Sequence, residues 1–171
     1  MFVSEGLSLI ARLDPSSVFN TLDHSILLKR LAVTFGVQDI AFEWFASYLS
    51  DRCQTVIVDG IVFAPSPLVY GVPQGSVLGP VLFTLCSQPL SDVISAHGCD
   101  VHKYADNTEL SQSAPPDEFC SVQTGIQICT EDILFWMNSN KLMLNTDKTE
   151  AMAVGTSSCL SWLDCNCDPT A

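Results

Sequence analysis

The sequence has few basic residues. Lys and Arg together number seven in a chain of 171 residues, against 19 Asp and Glu, and the formal net charge is −12. A protein that binds nucleic acid draws on a cation for each phosphate contact. Lys29 and Arg30 are adjacent, but the other basic residues are scattered along the chain. The composition therefore argues against a protein that binds nucleic acid by itself.

The sequence also lacks a long apolar run. Its longest, SVLGPVLFTLC, is interrupted by Gly79 and Pro80, and it is far shorter than the roughly 20 residues that cross a bilayer. The N-terminal MFVSEGLSLIARLD has no cationic start and carries Glu5 within its apolar part, unlike an export signal. We therefore expect an intracellular protein, cytoplasmic or nuclear, with no membrane partner.

The eight cysteines do not follow the pattern of a disulfide scaffold, because they are scattered along a chain of ordinary length without an export signal. In DCNCD, Cys165 and Cys167 lie downstream of Cys159. They lack the two-residue spacer and the second ligand pair of a zinc site. We expect free thiols, with residues 156–171 as a polar, poorly ordered tail.

Hydrophobic residues make up 47% of the chain, which is ample for a core. The segment LSLIARLD is typical of a largely buried strand ending at Asp14. The segment DHSILLKRLAVTF predicts a helix that begins at Asp23 or Ser25 and ends before Gly36. A second helix follows in DIAFEWFASYLS, with Asp39 as its expected N-cap.

Turn signals and periodicity place the remaining elements. Apolar residues alternate on both sides of Asp59 and Gly60, which predicts a hairpin. A glycine-rich turn then precedes an apolar helix that tolerates Pro80 only in its first turn. A long helix is predicted from about Asp117 to Asn140. Its apolar stripe consists of Phe119, Val122, Ile126, Cys129, Ile133 and Trp136.

This order of strands and helices predicts one α+β domain, with an antiparallel sheet backed by helices on one face. In that topology the strand ending at Asp14 lies beside a hairpin in YADNTEL that turns at Asp106 and Asn107. Two neighbouring carboxylates repel unless they share a divalent cation, and such oxygen ligands suit Mg²⁺. Taken singly, these segments are equally well explained as an ordinary turn and an ordinary strand end.

A resemblance to a known family adds to these observations. Five segments resemble, in their order and spacing, the reverse transcriptase of non-LTR (LINE-type) retrotransposons of the CR1/L2-like kind. The resemblance covers nearly everything from Leu7 to Gly155. The segments are LDPSSVFNTLDHSILLKRL, WFASYLSDRCQTVIVDG, GVPQGSVLGPVLFTL, HKYADNTEL and DILFWMNSNKLMLNTDKTEAMAVG.

The resemblance implies a polymerase palm in residues 1–155, truncated so that it lacks most of the fingers and all of the thumb. In that family two Mg²⁺ ions serve nucleotidyl transfer, and their ligands fall here on Asp14, Asp106 and Asn107. The implied partners are an RNA template, a DNA primer and a deoxynucleoside triphosphate. An exposed palm surface would also offer a place for a protein partner.

The resemblance also implies residues that contact the substrate. Phe19 falls where the family packs a side chain under the incoming sugar and screens its 2′-hydroxyl. Gln74 and Gly75, in GVPQG, and Tyr104, in the hairpin, fall at positions that bind substrate. Lys148 corresponds to a lysine near the phosphates that protonates the leaving pyrophosphate.

Departures from the family pattern predict an impaired enzyme. The family has a second aspartate where this chain has Asn107, an acid where it has Asn20, and no proline at the position of Pro15. An amide binds a hard cation less well than a carboxylate does. We therefore expect an RNA-directed DNA polymerase by ancestry with little or no activity. The alternative is a non-enzymatic acidic interaction module that retains the palm fold.

Overall fold

A computed structural model describes residues 6–16, 18–73 and 75–166. These residues form two compact units. We call residues 6–16, 88–139 and 143–166 the sheet unit, and residues 18–73, 75–87 and 140–142 the helical unit. None of the described helices has both the length and the apolar character needed to span a bilayer.

The secondary structure alternates between short strands and helices. The described strands are β1 (Leu7–Leu13), β2 (Pro15–Ser16), β3 (Cys53–Gln54), β4 (Ile57–Val58), β5 (Ile61–Val62), β6 (Ser66–Pro67), β7 (Asp100–Tyr104), β8 (Asn107–Ala114), β9 (Met143–Leu144) and β10 (Glu150–Val154). The described helices are α1 (Val18–Thr21), α2 (His24–Val33), α3 (Asp39–Leu49), α4 (Leu78–Ser87), α5 (Pro89–Ala96), α6 (Phe119–Ser139) and α7 (Ser157–Asn166).

The sheet unit is built on a four-stranded antiparallel sheet with the strand order β10, β1, β8, β7. Leu7 of β1 pairs with Ala114 of β8, and Leu13 pairs with Thr108. On its other edge β1 pairs with β10, while β7 and β8 form a hairpin. The antiparallel sheet expected from the sequence is therefore confirmed.

Alternate residues of the sheet point to opposite faces. Leu7, Ala11 and Leu13 of β1, with Thr108 and Leu110 of β8, are buried on the face that α6 contacts. We call this the helix face and the opposite one the open face. Because α5 also contacts β7, helices cover one face of the sheet, as predicted.

Helix α6 matches its predicted position but not the whole of its predicted stripe. A short 3-10 turn, Pro116–Glu118, leads into it, and Phe119 through Ile133 of the stripe are buried. Beyond Ile133 the buried residue is Met137, whereas Trp136 is half-buried. The buried position shifts from 136 to 137 because an α-helix has 3.6 residues per turn, whereas alternating steps of three and four residues average 3.5.

The helical unit packs α2 against α3 and α4. Asp23 caps α2 as predicted, since its side chain accepts hydrogen bonds from the backbone N–H groups of Ser25 and Ile26. The expected cap of α3 is wrong. Gln38 occupies the N-cap position without a side-chain hydrogen bond, and Asp39 is the first helical residue, with φ of +51°.

Two other predicted features of the helical unit are confirmed. Strands β4 and β5 form a hairpin around Asp59 and Gly60, whose φ angles of +51° and +82° suit a two-residue hairpin turn. Pro80 is the third residue of α4. The hairpin is open to solvent on both sides. Its large apolar side chains are 51–65% exposed: Val56, Ile57, Val58, Ile61, Val62 and Phe63.

The C-terminal residues include α7. Cys159 is buried there in a small cluster with Leu7 and Phe119. The cysteines whose side chains the structure describes are free thiols, as expected. Cys167 lies outside the described residues. The domain boundary at residue 155 stays a prediction.

Candidate active site

The β1–β8 ladder ends next to two of the predicted site residues. Leu13, the last residue of β1, pairs with Thr108 on the helix face. Asp14 directly follows Leu13 and Asn107 directly precedes Thr108, so both adjoin the last pair of the ladder. Asp106 directly precedes Asn107 in the chain. The three predicted metal ligands therefore gather at one end of the β1–β8 pair.

The hairpin that carries two of these ligands turns one residue earlier than expected. Tyr104 pairs with Asn107, so its two-residue loop is Ala105 and Asp106. Ala105 has φ of +54°, a conformation that costs a non-glycine residue energy and often occurs at functional sites. Asn107 is the first residue of β8 rather than a turn residue, because the ladder holds it.

Lys148 lies next to Asp14. Its Nζ is 3.7 Å from Asp14 Oδ2, and the side chains of Lys148 and Asp14 are 66% and 24% exposed. The backbone N–H of Asn145 donates to the carbonyl oxygen of Asp14, with an N–O distance of 2.8 Å. The Asn145 side chain caps the 3-10 turn Thr146–Lys148 by accepting from the N–H of Asp147. This turn brings the lysine to the end of β1.

The ligand chemistry at this end of the sheet is that of oxygen. Asp14 and Asp106 offer carboxylates and Asn107 offers an amide carbonyl, which suits a hard divalent cation. Asn107 is neutral, so these three side chains carry two formal negative charges. Within the described residues, no group of three or more His, Cys, Asp and Glu side chains is arranged to hold a metal ion.

Charged residues that sequence reasoning missed form the next row of the open face. Arg12 lies opposite Glu150 on one side and Glu109 on the other, and Glu109 lies opposite His102. A cavity of about 240 Å³ opens among Arg12, His102, Tyr104, Asn107 and Glu109. Tyr104, a predicted substrate residue, is 76% exposed. The alternation of side chains between the two faces of the sheet along β7 and β8 is the sequence pattern from which this row could have been predicted.

The helical unit brings together two other predicted substrate residues. Phe19 and Gly75 line one cavity of about 300 Å³, together with Ser76 and Gly79. The Phe19 ring stands edge-on to Phe83, with ring centroids 6.1 Å apart. Gln74 lies outside the described residues.

The loop leading to Gly75 begins at Gly71, whose backbone is held at both ends. Its N–H donates to Leu22 O, with an N–O distance of 2.8 Å. Its carbonyl oxygen lies 2.7 Å from His24 Nε2 and 2.9 Å from Arg52 Nη1. No local sequence pattern indicates these contacts, since they join residues 47 and 19 positions apart.

The start of α2 carries a buried ion pair. Asp23, 5% exposed, has its Oδ2 2.6 Å from Lys141 Nζ. Burial raises the pKa of Asp23. Hydrogen bonds from Lys141, Ser25 and the Ile26 backbone, together with the lysine charge, lower this pKa by more than burial raises it, so it lies well below its ordinary value. The same carboxylate raises the pKa of Lys141. The pair ties residue 141 to the start of α2.

Comparison with known proteins identifies the family. The sequence model of the reverse transcriptase (RNA-dependent DNA polymerase) family matches residues 3–166. Two Drosophila melanogaster proteins are similar over 143 residues. The RNA-directed DNA polymerase from mobile element jockey is 27% identical over 81% of this chain. The probable RNA-directed DNA polymerase from transposon BS is 29% identical over 80%. The chain spans 15% of the length of each relative.

Solved structures show the same fold. An apo telomerase from Candida tropicalis, truncated from its C-terminal domain, superposes with a TM-score of 0.64 at 15% identity, over 89% of this chain and 32% of its own. A Candida albicans telomerase in complex with a TWJ fragment of telomeric RNA gives 0.62 at 17% identity, over 88% and 28%. At such identities the likeness shows the fold alone.

The palm-like fold and the relationship to non-LTR retrotransposons, both predicted from the sequence, are therefore confirmed. With the family model matching residues 3–166, this chain belongs to the reverse transcriptase (RNA-dependent DNA polymerase) family.

Proposed function

We propose that this chain is the palm of an RNA-directed DNA polymerase whose nucleotidyl transfer is impaired at Asn107. The observation that supports the proposal is the register of β1 and β8, whose last pair, Leu13 with Thr108, directly adjoins Asp14 and Asn107 in the chain. Lys148 Nζ, 3.7 Å from Asp14 Oδ2, adds a cation at the same place. The substrates would be an RNA template, a DNA primer and a deoxynucleoside triphosphate.

The reaction explains why these residue types belong together. Attack of a primer 3′-oxygen on a triphosphate develops negative charge on the attacking, phosphoryl and leaving oxygens. A pair of Mg²⁺ ions, when bound, would neutralise that charge. Asp14 and Asp106 would hold the ions with their carboxylates, and Asn107 with its carbonyl oxygen. Lys148 would hold a proton near the leaving pyrophosphate, as a general acid does.

Each unit carries residues that we assign to substrate binding. Phe19 and Gly75 share the cavity of about 300 Å³, and we assign this cavity to the incoming sugar and its triphosphate. Gln74 would lie beside the same nucleotide. Tyr104, exposed next to Asn107 on the open face, would contact the primer end.

Asn107 explains why we expect impairment. Replacing a carboxylate by an amide removes one formal charge and one strong oxygen ligand. Removing a single preorganised electrostatic group from an active site typically costs on the order of 10²–10³ in rate. That loss alone would bring a competent enzyme close to background.

The test inserts the whole chain between the fingers and thumb of a related element. Primer extension on an RNA template in Mg²⁺ is compared for the unchanged chain, Asn107→Asp and Asn138→Asp. Asn138 is exposed on α6 and receives the same added charge away from the open face. We expect extension to rise about 10²–10³-fold with Asn107→Asp and to stay at background with Asn138→Asp.

Other outcomes would overturn the proposal in different ways. Equal extension by the unchanged chain and by Asn107→Asp would show that the amide is tolerated. A folded chimera that extends no primer in either form would favour the non-enzymatic alternative, an acidic interaction module that retains the palm fold.

A further inference from the structure

We propose that His24 and Arg52 are positioning residues for nucleotide selection. Through the carbonyl oxygen of Gly71 they hold the loop of residues 71–73 against the segment that carries Phe19. In this way they set the width of the cavity that receives the nucleotide sugar. The inference rests on the proposed function, because it assigns that cavity to the incoming nucleotide.

The backbone shows that the loop and the Phe19 segment touch. The N–H of Val72 donates to Phe19 O, with an N–O distance of 2.7 Å, and the N–H of Gly71 donates to Leu22 O at 2.8 Å. A Cβ added to Gly71 would lie 2.9 Å from the carbonyl oxygens of both Phe19 and Asn20. With φ of +76° as well, only glycine fits this position.

Two side chains converge on the carbonyl oxygen of Gly71. His24 Nε2 lies 2.7 Å and Arg52 Nη1 2.9 Å from Gly71 O. A carbonyl oxygen only accepts, so Nε2 carries the hydrogen of that bond. A carbonyl oxygen has two lone pairs, and here two donors use them. Gly71 is buried, so removing these donors would leave its carbonyl poorly satisfied.

The donors are themselves fixed. His24 is the first residue of α2, directly after Asp23. Asp23 caps the helix through two backbone N–H groups and pairs with Lys141 Nζ at 2.6 Å. A strand-like bridge joins Asp23 to Tyr70, the residue before Gly71. The loop is thus held to the start of α2 by side chains as well as by backbone.

The anchored loop and the Phe19 segment both contribute to the wall of the cavity. Its lining includes Phe19 from one segment and Pro73, Gly75 and Ser76 from the anchored loop and its continuation. Because Val72 N–H bonds to Phe19 O, a shift at Gly71 changes the separation of the two walls. Small displacements of positioning groups produce large effects on catalysis and selectivity. His24 and Arg52 therefore act on the nucleotide without touching it.

The first arm of the test measures anchoring in the chain as it stands. Hydrogen exchange of the Val72 and Gly71 amides is compared for the unchanged chain, His24→Leu, His24→Gln and His97→Leu. Glutamine places a donor nitrogen where histidine has Nε2, and His97 pairs with Asp132 elsewhere in the chain. We expect His24→Leu to speed exchange at these two amides by about 2- to 12-fold, the effect of one hydrogen bond.

In the same arm, His24→Gln should restore protection and His97→Leu should leave it unchanged. Exchange at Val72 that does not respond to His24→Leu or to Arg52→Met would overturn the inference. Uniform loss of protection along α2 would show that His24 supports the helix rather than the loop, and would also overturn it.

The second arm measures selection, in the chimera that carries Asn107→Asp. Adding His24→Leu or Arg52→Met should raise KM for the deoxynucleotide about 2- to 12-fold with little change in kcat. It should also lower discrimination against ribonucleotides, and His24→Gln should recover both. A purely structural role would instead lower the active fraction without changing KM or discrimination.

The two arms separate the failure of this inference from that of the proposed function. If the Asn107→Asp chimera extends primers and its KM and discrimination do not respond to His24→Leu and Arg52→Met, the inference is wrong and the function stands. If that chimera extends no primer, the proposed function fails, and the role in nucleotide selection fails with it.

Discussion

At residue 107 an amide and a carboxylate have nearly the same size but differ in charge and in hydrogen-bonding capacity. Backbone pairing with Tyr104 holds residue 107 at the start of β8, next to the last pair of the β1–β8 ladder, whichever side chain it carries. Substitution with aspartate should therefore change the chemistry of the open face while leaving the strand pairing intact. This makes position 107 suitable for a test in the isolated chain.

We predict that Asn107→Asp strengthens the binding of divalent cations to the isolated chain. A third carboxylate adds a charge and a strong oxygen ligand, and the gain should be at least the roughly 10- to 100-fold that an outer-shell partner contributes. Titration calorimetry with Mg²⁺ or Mn²⁺ measures it. Asn138→Asp is the control, and adding Asp14→Asn should abolish the gain. Equal affinity in Asn107→Asp and the control would contradict the prediction.

At the residue scale, short segments predicted site residues, whereas contacts between residues far apart in the chain had no signal in the sequence. Asp14, Asp106 and Lys148 stay predicted site residues that rest on short segments and the family resemblance, and Lys148 Nζ lies 3.7 Å from Asp14 Oδ2. His24 and Arg52 meet at Gly71 O only because α2 and the segment after α3 fold onto one loop. Neither residue stands in a local pattern that indicates such a contact.

At the level of elements, local signals gave the strands and helices, and tertiary pairing determined their ends. Cap chemistry was correct for α2, where Asp23 accepts from two backbone N–H groups. It failed for α3, where Asp39 takes a left-handed φ inside the first turn. The YADNTEL turn was placed one residue late, because pairing of Tyr104 with Asn107 is decided by the sheet rather than by turn propensity.

The contribution of Asp23 to the stability of helix α2 should depend on pH. The pKa of Asp23 in the folded chain is lowered below its ordinary value of 3.8. A carboxyl whose pKa is depressed by folding adds stability above its unfolded pKa and loses it as pH falls toward the folded pKa. This contribution is therefore full at neutral pH and declines below about pH 4.

We predict that Asp23→Asn lowers the unfolding free energy by roughly 1.5–3 kcal/mol at pH 7, the range for hydrogen bonds to charged groups. The deficit should shrink as pH falls below about 4. Denaturant unfolding across this range measures it. Asp117→Asn, at an exposed position before α6, should cost no more than about 0.5 kcal/mol at any pH. A deficit for Asp23→Asn that is independent of pH would show that the ion pair contributes nothing.

On the scale of the whole molecule, charge and apolar exposure act against each other. A net charge of −12 keeps copies apart and disfavours contact with phosphate. Between Cys53 and Tyr70, however, Asp59 is the only charged residue. The six apolar side chains of the β4–β5 hairpin in that segment are more than half exposed. The composition predicted the high negative charge, whereas the exposure of the apolar side chains of the hairpin is visible only in the structure.

We predict that this hairpin makes the isolated chain self-associate weakly. Its six apolar side chains present roughly 200–400 Å² per copy, whereas stable interfaces bury about 800 Å² per partner. The strands are also short and pair only with each other within the described residues, so their outer edges are open to a second copy. Association should therefore depend on concentration, and it should strengthen with salt, because salt screens the repulsion between acidic copies.

Sedimentation velocity from low to high micromolar protein, at low and high salt, measures this association. Ile57→Lys should return the chain to a monomer, since it places a charge in the centre of the hairpin. Phe135→Lys adds the same charge at a residue of α6 that is 74% exposed, against 65% for Ile57. A general effect of net charge would strengthen association slightly and equally in both variants, because each added lysine reduces the repulsion between acidic copies, whereas hairpin contacts would be lost only in Ile57→Lys. A chain that stays monomeric at every concentration and salt would show that the exposed hairpin is tolerated in solution, and association weakened by salt would assign it to ion pairs instead.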